Sequence, residues 1–254
     1  MPDEQPVPLH CFAHAGAGVS SFHSWLAGLG TGVRPVPHLL PGRDSRRRQP
    51  RATNREALLA DLMDDFRAMP HTPYVLYGHS LGALVAYTLT RALHEAGLPG
   101  PALLAVGACP PPDAPSELAD ACRESDDRLL RMLDAVGAVP EDAAPGGFWY
   151  RSVMPVLRDD LLLADSLRRA ARAPLRGGPL TVPVLALAGT GDPLVRPAEL
   201  AGWRHWTAGP LVTRTLPGDH FFVREPALPR LLGRACRVVR RLAPATRVPS
   251  GARG

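Results

Sequence analysis

Tyr74-Val-Leu-Tyr-Gly-His-Ser-Leu-Gly-Ala83 changes character halfway along. Its first four residues are aromatic, β-branched or aliphatic, the composition of a strand buried on both faces. Residues 80–96 then follow a helical pattern, closed by Gly97 with Pro99 just beyond, an arrangement that stops helices. Between the two lies Gly78-His79-Ser80-Leu81-Gly82, a G-x-S-x-G spacing. The pentapeptide alone is a loose pattern, and the plain alternative is a serine that caps the helix. A strand before it and a helix after it supply the context of a nucleophile elbow. Glycines at 78 and 82 leave room for a sharp turn that lifts the Ser80 hydroxyl above a sheet. The Leu81 amide then faces a developing oxyanion, aided by the positive end of the helix.

Working outward, apolar runs of strand length alternate with helical patterns, the signature of a mostly parallel sheet flanked by helices. Strands are expected at residues 8–13, 33–37, 74–78, 103–108, 182–188 and 211–216. Helices are expected at 54–69, 80–96 and 227–242. Residues 113–175 break the alternation. They hold helical pieces at 126–136 and 153–172, separated by Pro140, Pro145 and Gly146-Gly147. Leu129, Leu130 and Leu133 share one face of the first piece, with Met132 at its border. The expected fold class is α/β, with a core of residues 1–112 and 176–254 and a mobile helical cap at 113–175. The alternative is that 113–175 only completes the helical layer. The last dozen residues are expected to fray.

A serine nucleophile needs a base, and the base an orienting acid. After an elbow of this kind the chain order is nucleophile, acid, histidine. Asp192 follows the strand at 182–188, in Gly189-Thr-Gly-Asp192-Pro, and His220 follows the strand at 211–216, in Gly218-Asp-His-Phe-Phe222. Asp219 is the rival acid, but adjacency to His220 gives it poor geometry. His79 is expected to point into packing, and His205, between Trp203 and Trp206, to be structural. His14 lies in Phe12-Ala-His-Ala-Gly-Ala-Gly18 after the first strand. That small-residue loop either brings a second amide, from Ala15, to the oxyanion or is a plain tight turn.

The 254 residues are 45% hydrophobic and 21% charged, enough for one sizeable core. All 29 Lys-plus-Arg positions are arginine, giving a net charge of +5. Arg46-Arg47-Arg48 and the tail from Arg234 to Arg253 hold much of the excess. No nucleic-acid motif accompanies them, so no nucleic-acid role is expected. Four cysteines are scattered without C-x-x-C or metal-type spacing; Cys11 and Cys109 are expected as reduced, buried thiols. No apolar run approaches the roughly 20 residues that span a bilayer. Met1-Pro-Asp-Glu-Gln-Pro lacks the pattern of a secretion signal. A soluble, cytoplasmic, monomeric protein without membrane partners is the expectation.

Five motifs fall in order: Phe12-Ala-His-Ala-Gly-Ala-Gly18 with Trp25, Leu40-Pro-Gly-Arg43, Tyr77-Gly-His-Ser-Leu-Gly-Ala83, Gly189-Thr-Gly-Asp-Pro193 and Gly218-Asp-His-Phe-Phe222. Over about residues 9–242 the chain resembles the type II (editing) thioesterases of polyketide and nonribosomal peptide synthesis, α/β-hydrolases. The resemblance implies hydrolysis of acyl thioesters on the phosphopantetheine arm of acyl or peptidyl carrier domains. It implies Ser80, Asp192 and His220 as triad, and Ala15 with Leu81 as oxyanion pair. No metal or cofactor of the chain's own is implied; the pantetheine belongs to the substrate. A chain-releasing thioesterase or acyltransferase, or a carboxylesterase, would use the same triad. The chain departs from the family pattern in reading Phe-Ala-His for Phe-Pro-His and in having Ala17 for a second glycine. The cap carries Leu157-Arg-Asp-Asp-Leu161, similar to the family's Leu-Arg-Ala-Asp, with Asp165-Ser-Leu after it where a tyrosine is common. These departures bear on acyl-chain preference, not on the triad.

Overall fold

In the computed structural model, residues 5–69, 72–116, 120–139 and 146–242 are described. Six parallel strands form one sheet in the order β2-β1-β3-β4-β5-β6. They are β1 (Val7–Phe12), β2 (Val33–His38), β3 (Val75–His79), β4 (Leu103–Gly107), β5 (Val184–Gly189) and β6 (Leu211–Leu216). Each expected strand is present, with ends shifted by a residue or two. The helices are α1 (Trp25–Leu29), α2 (Arg55–Arg67), α3 (Leu81–Glu95), α4 (Asp126–Ala135), α5 (Phe148–Ala171) and α6 (Ala227–Leu242). A 3-10 segment, Pro197–Trp206, was not anticipated; Pro, Gly and two Trp blur any helical period there.

Alternation along the strands sorts the core into two layers. Leu76, Leu104, Val106, Val184 and Ala186 face α2 and α3 on one side of the sheet. Val75, Tyr77, Ala105, Leu185 and Leu187 face α1 and α6 on the other. Pro35 and Pro37 sit in β2, which pairs only with β1; at an edge a missing N–H breaks no ladder bond. The strand order reverses its direction of growth at β1 and β3. Loops leaving the carboxyl ends of these neighbours part to opposite sides and open a crevice, the usual place for a ligand in an open α/β sheet.

Asn54 caps α2, its Oδ1 accepting from Ala57 N at 2.9 Å. Gly97 adopts φ +66° after α3, as expected of the residue that ends a helix. Helix α5 begins five residues before the expected start and runs through Pro155, which removes one helical bond without ending it. Its two ends pack differently. Leu163, Ala164, Leu167 and Ala171 join the main core. Met154, Leu157 and Leu161 instead form a separate small cluster with Leu129 and Leu133 of α4. The expected fraying of the last dozen residues and the breaks at Pro140 and Pro145 lie outside the described residues.

At the β1–β2 edge, His10 Nδ1 and His38 Nε2 lie 2.8 Å apart, one ring donating to the other. The rings pack with Phe66, and His10 also meets Tyr74. Burial, reinforced by His38 and Arg34, lowers His10 to about 3. Burial lowers His38 to about 4, against the opposing pull of Asp65 and Asp61.

Two outcomes are expected. Both histidines protonate more easily unfolded, near 6.5, than folded. Their contribution is therefore intact above pH 6.5 and is lost as pH falls toward 4. Tm should fall by about several degrees between pH 7 and pH 5, and by less in a His10→Phe/His38→Leu double variant, read by thermal melts. Hydrogen exchange in Asp126–Ala135 should be about tenfold or more faster than in Val75–His79, because α4 rests on the smaller cluster.

Candidate active site

Ser80 is held at φ 54°, ψ −115°, a left-handed conformation that a non-glycine residue adopts only when its surroundings force it. The force is close backbone approach. A Cβ on Gly82 would lie 2.7 Å from Ala13 O and nearer still to Phe12 O, and one on Gly78 would overlap the Gly82 carbonyl. Only glycine fits at either position. Ser80 N donates to Gly107 O at 2.8 Å, which ties the turn to β4. The serine makes no side-chain cap bond to α3, so its hydroxyl is free of the capping role.

The Ser80 hydroxyl meets His220 instead. His220 Nε2 is 3.2 Å from Ser80 Oγ. On the opposite ring edge, His220 Nδ1 lies 3.0 Å and 3.1 Å from the two Asp192 oxygens. Both His220 and Asp192 are buried. Asp192 Oδ1 also accepts from Leu194 N at 2.9 Å and Val195 N at 3.2 Å, so the turn after β5 fixes the carboxylate before the histidine meets it. Asp219, the rival, turns back to accept from Phe221 N at 2.7 Å. The two acids have distinct jobs: Asp192 faces the imidazole, and Asp219 shapes the loop.

His79 is buried, as expected, but it also has a polar role. Its Nε2 donates to His220 O at 2.7 Å, so its Nδ1 is left to accept from Tyr77 O–H at 2.7 Å. Tyr77 and His79 thus brace the backbone of the candidate base. Their signal in the sequence was faint: two polar-tipped residues at i and i+2 on one face of an otherwise apolar strand. Burial first, then neighbouring His220 and His14, hold His79 well below the usual histidine range. His14 is pressed edge-on against His79 and Phe221. Burial above all, with His220 and Arg224, lowers it to about 3. His205 is exposed on the 3-10 segment, whose Trp203 is buried and donates to Cys109 O at 3.1 Å.

Two cavities meet at Ser80, His220 and Ala15. The larger, about 590 Å³, runs past Leu81, Leu84 and Cys109 toward Arg168 and Glu199. The smaller, about 160 Å³, is walled by His14, Val136, Trp149, Val153, Leu157 and Phe221. Leu81 is the first residue of α3, where an N–H has no partner inside the helix. In the loop after β1, Gly16 N is engaged by Asp160 Oδ2 at 2.7 Å and Ala17 N by His14 O at 3.1 Å. Ala15 is the residue of that loop that lines both cavities. All four cysteines are free and buried. Among the described residues no cluster of three or more His, Cys, Asp or Glu side chains is placed to hold a metal ion.

A parallel sheet presenting serine, aspartate and histidine in that chain order, from loops after β3, β5 and β6, is an α/β-hydrolase. The chain matches the Thioesterase domain family over residues 7–236 and belongs to it. It is similar to thioesterase PikA5 of Streptomyces venezuelae, 31% identical over 86% of this chain and 76% of the relative. Among solved structures it is similar to RedJ, the thioesterase from the prodiginine biosynthetic pathway in Streptomyces coelicolor. There the identity is 33%, the TM-score 0.78, and the coverage 93% of this chain and 92% of that one. YbtT, the type II thioesterase from the yersiniabactin NRPS/PKS biosynthetic pathway, is 26% identical with a TM-score of 0.75. The match covers 94% of this chain and 93% of that one. The chain is thus a serine hydrolase of the thioesterase kind.

Replacing the three polar side chains separates their roles. Ser80→Ala should lower kcat on a thioester by about 10⁶ with Tm unchanged, the scale measured for a serine-protease nucleophile. Asp192→Asn should lower kcat by about 10⁴ at neutral pH, by favouring the wrong imidazole tautomer. Asp219→Asn should cost far less. Steady-state kinetics with melts on the three variants would overturn the assignment of the acid if the two aspartates ranked in the reverse order.

Proposed function

We propose that this chain is a type II editing thioesterase. It removes stalled or aberrant acyl groups from the phosphopantetheine arm of acyl or peptidyl carrier proteins in polyketide or nonribosomal peptide synthesis. The observation that carries the reading is the Ser80–His220–Asp192 chain of hydrogen bonds at the junction of two cavities, in a member of the thioesterase family. Relatives from peptide and polyketide pathways support the carrier-bound substrate.

The chemistry follows from the geometry. Ser80 Oγ attacks the thioester carbonyl while His220 Nε2 takes the hydroxyl proton, and Asp192 holds Nδ1–H and steadies the imidazolium. The carbonyl oxygen gains the negative charge and rests on the Ala15 and Leu81 amides. Collapse breaks the C–S bond, and the proton on His220 goes to the departing pantetheine sulfur. Water then enters, gives a proton to His220 and attacks the acyl-serine; the second collapse returns the proton to Ser80 and frees the acid. Side chains and backbone of one chain suffice, with no metal or redox group, so a monomer can act. Within 113–175, α4 and the amino-terminal half of α5 serve as the cap that excludes bulk water. No helix of the described residues is long and apolar enough to cross a membrane. A cytoplasmic location suits four free thiols.

Carrier domains of the type the resemblance implies are acidic, and the arginine-rich surface complements them. Arg46, Arg158 and Arg169 are spoken for by Asp61, Asp126 and Asp165, and Arg168 is buried. Arg47, Arg48, Arg151 and Arg172 are exposed and supply the docking charge. The expected result is a kcat/KM about tenfold or more higher for an acyl group on a carrier than on free pantetheine. Raising salt should erode that advantage through KM, with kcat steady. Equal kcat/KM for the two substrates, at low and high salt, would overturn carrier docking.

A further inference from the structure

Two sequence motifs have no part in the reaction just derived, Leu40-Pro-Gly-Arg43 and Leu157-Arg-Asp-Asp-Leu161. The fold joins them. Arg43 Nη2 donates to Asp160 Oδ1 at 2.6 Å and Arg43 Nη1 to Asp160 Oδ2 at 3.1 Å, a two-pronged pair. The two side chains are 9% and 2% exposed, so the pair is sealed from water. Both partners reach further, to the loop after β1. Asp160 Oδ2 accepts from Gly16 N at 2.7 Å, and Arg43 Nη1 donates to Ala17 O at 2.8 Å.

The loop they grip is the one that carries Ala15. Gly16 adopts φ +76°, and α5 packs within van der Waals reach of it: a Cβ there would meet Val153 Cγ1 at 3.6 Å and Leu157 Cδ1 at 3.8 Å. Val153, Leu157, Asp160 and Leu161 recur at helical spacing, so one face of α5 lies on Gly16. A carboxylate on that face binds the amide immediately after Ala15. With Gly16 N–H and Ala17 C=O both held by the Arg43–Asp160 pair, the peptide between Ala15 and Gly16 has little freedom to rotate, and it anchors the adjoining His14–Ala15 peptide that carries the Ala15 N–H.

We propose that Arg43 and Asp160 are positioning residues that clasp α5 to the loop after β1, setting the Ala15 amide for the oxyanion only when α5 is seated. The inference rests on the reading of Ser80 and Ala15 given above. Neither side chain touches the reacting atoms; each acts through the loop. A buried ion pair also adds geometric demand, because its charges are tolerated only in good mutual geometry. Displacing α5 would break that geometry, so the hole is complete only when the chamber is covered. Burial raises the Asp160 carboxyl, while Arg43 and the Gly16 amide pull it back down.

The test compares Asp160→Asn, the charge-free double variant Arg43→Met/Asp160→Leu, Arg43→Lys and Ser80→Ala with the wild type. Each is read by kcat and KM on an acyl-pantetheine thioester, by Tm, and by affinity for an acyl trifluoromethyl ketone. The adduct of that ketone with Ser80 carries an oxyanion, so its binding reports the hole. Losing one oxyanion donor outright has cost about 10² to 10³ in kcat. A displaced donor should therefore cost Asp160→Asn and the double variant about 10- to 100-fold in kcat, with KM within about threefold. Ketone affinity should fall in step with kcat/KM.

The double variant separates positioning from stability. Replacing a buried ion pair by apolar groups of similar size is often neutral or stabilising, so its Tm should recover relative to Asp160→Asn while kcat stays low. Should the carboxylate variants fail to fold, Arg43→Lys decides: it keeps the charge balance but loses the two-pronged grip, and kcat should fall about fivefold or more with Tm little changed. A folded double variant, or in its absence a folded Arg43→Lys, with wild-type kcat and ketone affinity would overturn the clasp. Ser80→Ala tells the two failures apart. If Ser80→Ala remains active, the functional reading falls; if it is inactive while the clasp variants behave as wild type, only this inference falls.

Discussion

Backbone passes backbone at Gly82 and Gly78 with no room for a side chain, and the site grows from that crossing. Phe12 O and Ala13 O press on Gly82, and the Gly82 carbonyl presses on Gly78. The turn between them has one way to go, and Ser80 is carried into a left-handed conformation with its hydroxyl above the sheet. The same contact brings the end of β1 against the start of α3. Ala15, in the loop after β1, and Leu81, at the start of α3, are far apart in sequence and line one cavity for this reason. The strain at Ser80 costs on the order of 1–3 kcal/mol, and the sheet beneath is buried on both faces and able to bear it.

Around the elbow, Asp192 and His220 are each fixed by a second group before they meet Ser80. Leu194 N and Val195 N hold Asp192, and Asp192 holds His220. His79 and Tyr77 hold the His220 carbonyl from below. His79 and His14, kept neutral by burial, give this support without adding positive charge beside the imidazole.

The inserted segment belongs partly to the body and partly to itself. The carboxyl-terminal half of α5 is embedded in the main core, while its amino-terminal half and α4 share a small cluster of their own. Arg43 and Asp160, with Arg51 and Asp159 beside them, sit at the border between these halves. The charged pairs thus tie α5 to the segment after β2 at the point where its packing passes from one cluster to the other.

Much of this was legible in the sequence, for local reasons. Strands buried on both faces read as apolar runs, G-x-S-x-G between strand and helix admits few geometries, and loops at strand ends carry polar residues with nothing local to do. Ser80, His220 and the six strands were therefore accessible from short-range pattern. Asp192 against Asp219 was decided by adjacency, a covalent constraint that the sequence also carries. The early start of α5 was not legible, because Pro145 and Gly146-Gly147 read locally as a break just before it; packing of Met154 and Leu157 against α4 overrides that signal. The role of His79 was hidden because a histidine in a buried strand reads as core until its partner, a carbonyl 141 positions away, is known. The same holds for Arg43 and Asp160, separated by 117 positions. Residue types and their short-range spacing determined the fold class and pointed to Ser80, Asp192 and His220, which the fold brings within hydrogen-bond reach. Which distant charges meet, and what they hold in place, was decided only when the tertiary structure closed, because burial removes the water that would otherwise satisfy those groups and makes each take the one partner within reach.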